Sequence, residues 1–314
     1  MVPIRIATSL EAGFDGYDRR LVLAPAPPCA FIRSTDGVEV AVHNLGGPED
    51  PAAPVVLFSH ATGFHGRVFA PLASALRSRY ACLALDYRGH GLTRLPDDAG
   101  LAWEGMGDDA LAVLVSHLIG PDRPVHGVGH SMGGAALVLA ASRRPGVLNS
   151  LWLYEPVLVP PGTMAPSSDG NLLALGAARR RPSFGSLDEA VANYASKPPL
   201  NQLHPDALDE YVRGGFADQP DGTVRLRCEP ATEAAVFGFA ADSGAWQVLP
   251  RMNLPVAVVA GRSEDFGPSR FAPLAVEAMP RATLLIRSTL GHFGPLEDPA
   301  GMAVDLEAWL TAHP

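Results

Sequence analysis

The sequence contains few cysteines and no long apolar run. Its three cysteines, Cys29, Cys82 and Cys228, are odd in number and far apart, which argues against a disulfide framework or a cysteine-based metal site. No apolar stretch reaches the roughly 20 residues that a membrane-spanning helix needs. The first residues lack a basic start followed by an apolar core, so we expect no signal peptide and a cytoplasmic location.

Basic residues are also scarce. Lys197 is the single lysine, the net charge is −9, and the longest basic cluster is Arg179-Arg180-Arg181. Without a basic patch, neither nucleic acid nor an anionic membrane is expected as a partner. The 314 residues, 47% of them hydrophobic, are enough for one large α/β domain or two small domains.

Strand-like and helix-like segments alternate over much of the chain. The continuous apolar runs at 55–59 and 81–86 are typical of strands buried on both faces. Helical periodicity follows at 68–79 and again at 103–119. Because each predicted strand is followed by a predicted helix, the pattern indicates an α/β fold with crossover connections and a mostly parallel sheet.

This alternation stops between residues 157 and 247. The segment has proline turns and amphipathic helical patterns, and we find no convincing buried strand in it. We therefore expect an α/β core made of residues 29–156 and 248–314, interrupted by a helical insertion at 157–247. Residues 1–28 are irregular and rich in proline near their end, and we expect a surface extension there.

Gly129-His130-Ser131-Met132-Gly133 lies between a predicted strand and an alanine-rich helical segment. This G-x-S-x-G pattern is typical of a sharp turn that holds a serine in a strained conformation, with glycines where strand and helix approach closely. Backbone N–H groups at the start of the helix favour a developing negative charge. The pentapeptide alone is a weak signal and also fits a glycine-rich turn with a surface serine. Its context predicts Ser131 as a nucleophile.

A nucleophilic serine needs a base and an oxyanion hole. His292 lies on a glycine-flanked loop after the last predicted strand, and the near-neutral pKa of an imidazole suits a general base. The loop at 60–64 follows the first buried strand, where it can supply a backbone N–H. We predict the amides of Thr62 and Met132 as the two oxyanion donors.

Several other polar residues lie close to these loops in the sequence. His65, His90 and the segment at 86–91 follow predicted core strands. A loop histidine or a glycine-rich loop of this kind more often fixes local structure than takes part in chemistry, so we predict structural roles for them. His130 is adjacent to Ser131, and a neighbour in such a turn points away from the serine.

Three carboxylates compete for the role of orienting His292. Glu155 ends the predicted strand that follows the alanine-rich helical segment after Ser131, whereas Glu264 and Asp265 follow the penultimate strand. Solvated loop charges or a salt bridge would also explain these residues. A glutamate at the end of a buried strand is the more unusual placement, because burying an unpaired charge is costly. We therefore favour Glu155, with Glu264 or Asp265 as the alternative acid.

Taken together, these motifs resemble the α/β-hydrolase superfamily. The resemblance covers about 55–155 and 250–313, and its matching segments are 60–64, 86–91, 129–134 and 291–299. It implies an eight-stranded, mostly parallel sheet with the insertion as a lid, and the chain order nucleophile, acid, histidine.

Two positions depart from the pattern of that superfamily. The oxyanion loop reads His60-Ala61 where the family often has His-Gly, and Glu264 stands where an aspartate is usual. Glu155-Pro156-Val157 resembles branches that take the acid from the end of the sixth strand. The serine at 131 excludes the branches with an aspartate nucleophile.

The resemblance and the motifs predict an enzyme, a serine hydrolase that cleaves a small to medium hydrophobic carboxylic ester, with no cofactor and no metal. An acyltransferase, or a hydrolase of lactones or C–C bonds, would use the same residues. A non-hydrolytic ligand-binding protein is the alternative from another class. Aromatic residues of the insertion are candidates for the pocket wall: Phe184, Tyr194, Tyr211, Phe216, Phe237, Phe239 and Trp246.

Overall fold

The computed structural model describes residues 30–120, 123–163, 171–240, 243–262 and 267–314, so the predicted extension at 1–28 lies outside the described residues. The strands are β1 Ala30–Arg33, β2 Glu39–Gly46, β3 Val55–Ser59, β4 Ala81–Leu85, β5 Val125–His130, β6 Ser150–Tyr154, β7 Ser183–Phe184, β8 Phe216–Asp218, β9 Val224–Leu226, β10 Val256–Ala260 and β11 Ala282–Ile286. The α-helices are α1 Ala70–Ser74, α2 Trp103–Leu114, α3 Met132–Arg143, α4 Leu172–Ala178, α5 Leu187–Ala195, α6 Pro205–Gly215, α7 Pro230–Gly238, α8 Ala245–Val248, α9 Ala272–Ala278, α10 Gly294–Glu297 and α11 Pro299–Ala312. Within these ranges no helix combines the length and apolar character that crossing a bilayer requires.

Eight strands form one sheet in the order β1-β2-β4-β3-β5-β6-β10-β11. The pairs β1–β2 and β2–β4 are antiparallel, and the remaining pairs are parallel. Every residue of β3, β5, β6 and β10 is buried, which explains their continuous apolar runs. The prediction of a mostly parallel, eight-stranded α/β-hydrolase fold is confirmed.

Both faces of this sheet are covered. On one face, Leu57 of β3 packs in a cluster with Trp103 of α2 and Leu137 of α3. On the other face, Phe58 belongs to a cluster with Leu306 of α11. Successive residues of a strand point to opposite faces, so one apolar strand contributes to both cores.

The segment at 157–247 connects β6 to β10, which are neighbours in the sheet. It contains α4 to α7, and the bounds of α5 coincide with the amphipathic helical pattern of residues 187–195. The expectation that the segment holds no strand is wrong, because β7, β9 and β8 form a small antiparallel sheet. These strands are two or three residues long, too short to show an alternating pattern. We refer to residues 157–247 as the insertion.

Two core helices are shorter than their periodicity predicts. The segment at 68–79 forms a 3₁₀ turn followed by α1, which ends at Ser74, and α2 ends at Leu114 instead of 119. Tight turns continue both segments, such as the bond from the Ser116 N–H to the Val113 carbonyl. Such turns bury apolar side chains on one side as a helix does, so periodicity alone overestimates helix length.

Four of the seven candidate aromatics pack against each other inside the insertion. Phe184 lies 5.8 Å from Tyr194 and 5.7 Å from Phe216, ring centre to ring centre. Tyr194 also lies 5.6 Å from Tyr211, which in turn reaches the core ring of Phe64 at 4.8 Å. These rings therefore hold the insertion together and join it to the core near the 60–64 loop.

Candidate active site

Ser131 joins β5 to α3 in a strained turn. Its φ of 54° and ψ of −118° form a combination that residues other than glycine rarely adopt. The Ser131 N–H donates to the Tyr154 carbonyl at 3.1 Å, and its own carbonyl accepts from the Val157 N–H at 3.2 Å. The turn is thus fixed by residues on both sides of Glu155.

The glycines of this turn have steric reasons. A Cβ on Gly129 would lie 2.6 Å from the Cα of Gly134 in α3, and a Cβ on Gly133 would lie 2.3 Å from the carbonyl oxygen of Ser59 in β3. Both distances are far below a van der Waals contact. Only glycine therefore allows α3 to start this close to the sheet.

Glu155 contacts His292 across the end of the sheet. Glu155 is 2% exposed, and its Oε2 lies 2.7 Å from His292 Nδ1 while its Oε1 accepts the Gly261 N–H at 3.0 Å. With Nδ1–H donating to the carboxylate, the lone pair of His292 is on Nε2. Glu264 and Asp265, the alternative acids, lie outside the described residues.

Three side chains hold the backbone around His292. The Tyr154 hydroxyl donates to the Gly291 carbonyl at 2.8 Å, and the Glu297 carboxylate accepts the Gly291 N–H at 2.9 Å. His130 Nε2 donates to the His292 carbonyl at 2.8 Å, and burial lowers the pKa of His130 well below its ordinary value. No sequence pattern singled out Tyr154 or Glu297, and for His130 the sequence predicted only an orientation away from the serine, not this contact with the His292 backbone.

The 60–64 loop contacts the start of α3. The Thr62 hydroxyl lies 3.2 Å from the Met132 sulfur. The Gly63 N–H is already bound to His90 Nε2 at 3.0 Å, whereas no described residue accepts a hydrogen bond from the amides of Thr62 or Met132. Two unused backbone donors on adjoining elements fit an oxyanion hole. The assignment of these two amides stays a prediction.

The segment at 86–91 is fixed by buried polar contacts. Asp86 accepts the Gly66 N–H at 2.7 Å, and Arg88 pairs with Asp109 at 2.9 Å. Asp86, Arg88 and His90 are each 1% exposed. Their donors and acceptors are used in holding loops together, in agreement with a structural role.

Two buried histidines fix the 86–91 segment and the insertion. His60 Nε2 accepts the Tyr87 N–H at 3.0 Å, and burial lowers the pKa of His60 to about 3. His65 Nε2 donates to the Tyr211 carbonyl at 3.1 Å, and burial lowers its pKa to about 4. Both rings are therefore neutral near pH 7, and the second one anchors α6 to the core.

A buried ion pair of the insertion lies against the 60–64 loop. Arg180 pairs with Glu233 through Nη1 and Oε2, and Arg180 Nη2 donates to the hydroxyls of Tyr194 and Tyr211. A Cβ on Gly63 would lie 2.4 Å from Glu233 Oε1. Burial alone would lower the pKa of Arg180, but the tyrosines and the carboxylate outweigh it and raise that pKa. No sequence pattern links these residues, which are 53 positions apart.

Within the part of the chain that the structure describes, no group of three or more His, Cys, Asp or Glu side chains is arranged to hold a metal ion.

Known proteins share this architecture. The sequence model of the alpha/beta hydrolase family matches residues 56–306. A 2-(acetamidomethylene)succinate hydrolase from Mesorhizobium japonicum is 28% identical over 194 residues, which are 61% of this chain and 59% of that protein. Protein phosphatase methylesterase 1 from Bos taurus is 32% identical over 136 residues, 40% of this chain and 35% of that protein. Both matches span less than two thirds of these relatives.

A solved structure extends the likeness to most of the fold. The crystal structure of E-2-(acetamidomethylene)succinate hydrolase has a TM-score of 0.74 and 21% identity, and the match covers 89% of this chain and 98% of that one. At this identity the likeness supports the fold alone. The family model, however, matches well over half of the chain. The strand order, the serine turn and this match together show that the chain belongs to the α/β-hydrolase family.

Proposed function

We propose that this protein is a serine hydrolase that cleaves carboxylic esters through an acyl-enzyme, without a cofactor. The observation that carries the proposal is the 2.7 Å contact between His292 Nδ1 and Glu155 Oε2. The serine turn adjoins this contact at two points. His130, which precedes Ser131, donates to the His292 carbonyl, and the Ser131 N–H donates to the carbonyl of Tyr154, which precedes Glu155. A serine hydroxyl that reaches such an imidazole–carboxylate pair is activated as a nucleophile.

In the first half of the reaction, Ser131 Oγ attacks the ester carbonyl carbon while His292 Nε2 takes the hydroxyl proton. Glu155 holds the tautomer and stabilises the imidazolium that forms. The amides of Thr62 and Met132 donate to the oxyanion of the tetrahedral intermediate. The imidazolium then protonates the leaving alkoxide, so an alcohol departs and the acyl group stays on the serine.

In the second half, His292 takes a proton from water, and the resulting hydroxide attacks the acyl carbon. The second tetrahedral intermediate collapses, Ser131 regains its proton from the imidazolium, and a carboxylic acid is released. The His292 side chain is 27% exposed, so water has access to the base. This access favours hydrolysis over acyl transfer to another alcohol.

Aromatic rings next to these residues favour a hydrophobic substrate. Phe64 lies 4.8 Å from Tyr211 of the insertion and 5.4 Å from Phe293, which follows the proposed base. Phe64 and Tyr211 are buried, whereas Phe293 is half-buried and is the ring that a small to medium apolar group can contact. The strain at Ser131, worth about 1–3 kcal/mol in general, also argues against a pure binding protein, which would gain nothing from it.

A fluorophosphonate probe tests the proposal directly, because it labels only an activated serine. We expect wild type to be labelled and to hydrolyse 4-nitrophenyl esters, and Ser131→Ala to lose labelling and about 10⁶-fold in kcat. Ser142→Ala is the matched control, since Ser142 lies on the same helix and only donates to Leu139. Labelling of Ser131→Ala, or no labelling of wild type, would refute the proposal.

A further inference from the structure

Glu233 has one engaged and one unused carboxylate oxygen. Its Oε2 pairs with Arg180, and no described residue donates a hydrogen bond to Oε1. The side chain is only 9% exposed, so bulk water hydrates it poorly. Oε1 lies against Gly63, the residue after the proposed oxyanion donor Thr62. A Cβ added to Gly63 would lie 2.4 Å from this oxygen.

The guanidinium beside this carboxylate already binds three side chains of the protein. Both terminal nitrogens of Arg180 have partners, namely Glu233, Tyr194 and Tyr211. These partners come from three different helices, α5, α6 and α7, which fixes the guanidinium in place. Among the acceptor atoms of this cluster, Oε1 is the one to which no described residue donates.

Oε1 of Glu233 is open to a ligand. The described side-chain nitrogen and oxygen atoms that are fully buried without a partner are His43 Nδ1, Trp152 Nε1 and Arg227 Nε, so Oε1, which also has no donor, keeps some contact with solvent. A donor group of a bound substrate would replace that solvent and would shield a negative charge that lies beside the proposed oxyanion loop.

We propose that Glu233 is a substrate-binding residue whose Oε1 accepts a hydrogen bond from a hydroxyl or N–H group on the acyl part of the ester. The inference rests on the proposed ester hydrolysis. Adjacent Cα atoms are about 3.8 Å apart, and the Glu233 carboxylate lies against Gly63, the neighbour of Thr62. The distance from Oε1 to a carbonyl oxygen bound at the Thr62 amide is therefore one that one or two covalent bonds and one hydrogen bond can span. The donor therefore belongs on the carbon α or β to the scissile carbonyl.

Matched methyl esters test this specificity. The panel pairs methyl 3-hydroxybutanoate with its methyl ether, pairs methyl lactate with its methyl ether, and adds monomethyl succinate as a carboxylate-bearing ester. For at least one pair we expect wild type to prefer the hydroxy ester by about tenfold or more in kcat/KM, as a hydrogen bond to a charged group predicts. Glu233→Gln should reduce that ratio several-fold.

Glu229→Gln is the matched control, because Glu229 precedes the same helix and pairs with Arg225 at the surface. It should keep the wild-type ratio. A wild-type ratio near one for both pairs, an unchanged ratio in folded Glu233→Gln, or a preference for monomethyl succinate would overturn the inference. The last result would assign Arg180 to a substrate carboxylate instead.

Two further measurements keep the test decisive. If Glu233→Gln does not fold, as judged by thermal unfolding, Glu233→Asp withdraws the oxygen while keeping the charge and should also lose the preference. If wild type cleaves no ester, the proposed function fails, and titration calorimetry on Ser131→Ala decides the role of Glu233. Tighter binding of the hydroxy ester than of its ether supports the role, and equal binding refutes it.

Discussion

Replacing Glu155 with glutamine gives a sharp prediction, because two contacts fix how the new amide would sit. Glu155 Oε1 accepts the Gly261 N–H, and Oε2 faces His292 Nδ1. In Glu155→Gln, the backbone donor of Gly261 keeps the amide oxygen on its side. The NH₂ group then faces His292 and donates to Nδ1, which forces the imidazole proton onto Nε2 and removes the lone pair that should deprotonate Ser131.

The expected loss follows from this tautomer change. The equivalent Asp→Asn change in a serine protease triad lowers kcat by about 10⁴-fold, or about 5.5 kcal/mol of transition-state stabilisation. We expect a loss of this order in kcat for 4-nitrophenyl acetate, with little change in KM. The rate of fluorophosphonate labelling should fall in parallel, because it needs the same deprotonated serine.

Glu307→Gln is the control for this substitution, since Glu307 forms a surface pair with Arg79 and should keep full activity. Thermal unfolding would show that both variants are folded. If Glu155→Gln stays within tenfold of wild type while Glu264→Gln or Asp265→Asn loses activity, the acid is one of those two residues and the reasoning from the observed contact is refuted.

Two further predictions concern the turn and acid stability. Gly133→Ala would place a Cβ 2.3 Å from the Ser59 carbonyl oxygen, so we expect about 1–3 kcal/mol of destabilisation and loss of fluorophosphonate labelling. Gly176→Ala, where a Cβ meets no atom within 4 Å, should leave labelling unchanged, and a fully active Gly133→Ala would contradict the steric argument. Burial lowers the pKa of His60 to about 3 and of His65 to about 4, whereas both titrate near 6.5 when unfolded. Between these values the unfolded state binds more protons, so stability should fall as pH is lowered from 6.5 towards 4, by up to about 1.4 kcal/mol per pH unit for each histidine. Thermal unfolding across this range would measure the slope, which His65→Gln should reduce, and a flat profile would contradict these pKa values.

The fold was predictable from local patterns wherever segments are long enough to show one. The buried strands at the centre of the sheet appear as continuous apolar runs, and helical periods between them require parallel crossovers. The strands of the insertion escaped prediction because each is three residues or fewer. Helix ends also escaped, since tight turns bury the same side chains as a helix.

The serine turn was also predictable, because its requirements are local. A strained φ at Ser131 and close approaches at Gly129 and Gly133 demand a fixed spacing of glycines in the sequence. The glycines beside His292 likewise mark its loop.

The sequence by itself therefore determined the α/β architecture and the positions of Ser131 and His292 as candidates, since both depend on neighbours along the chain. Only the tertiary structure decided which carboxylate contacts the imidazole among those described, because Glu155 and His292 are 137 residues apart. The Arg180–Glu233 pair beside Gly63 was decided in the same way. A buried charge is stabilised by whatever partner the fold brings near it, and that choice leaves no pattern in the local sequence.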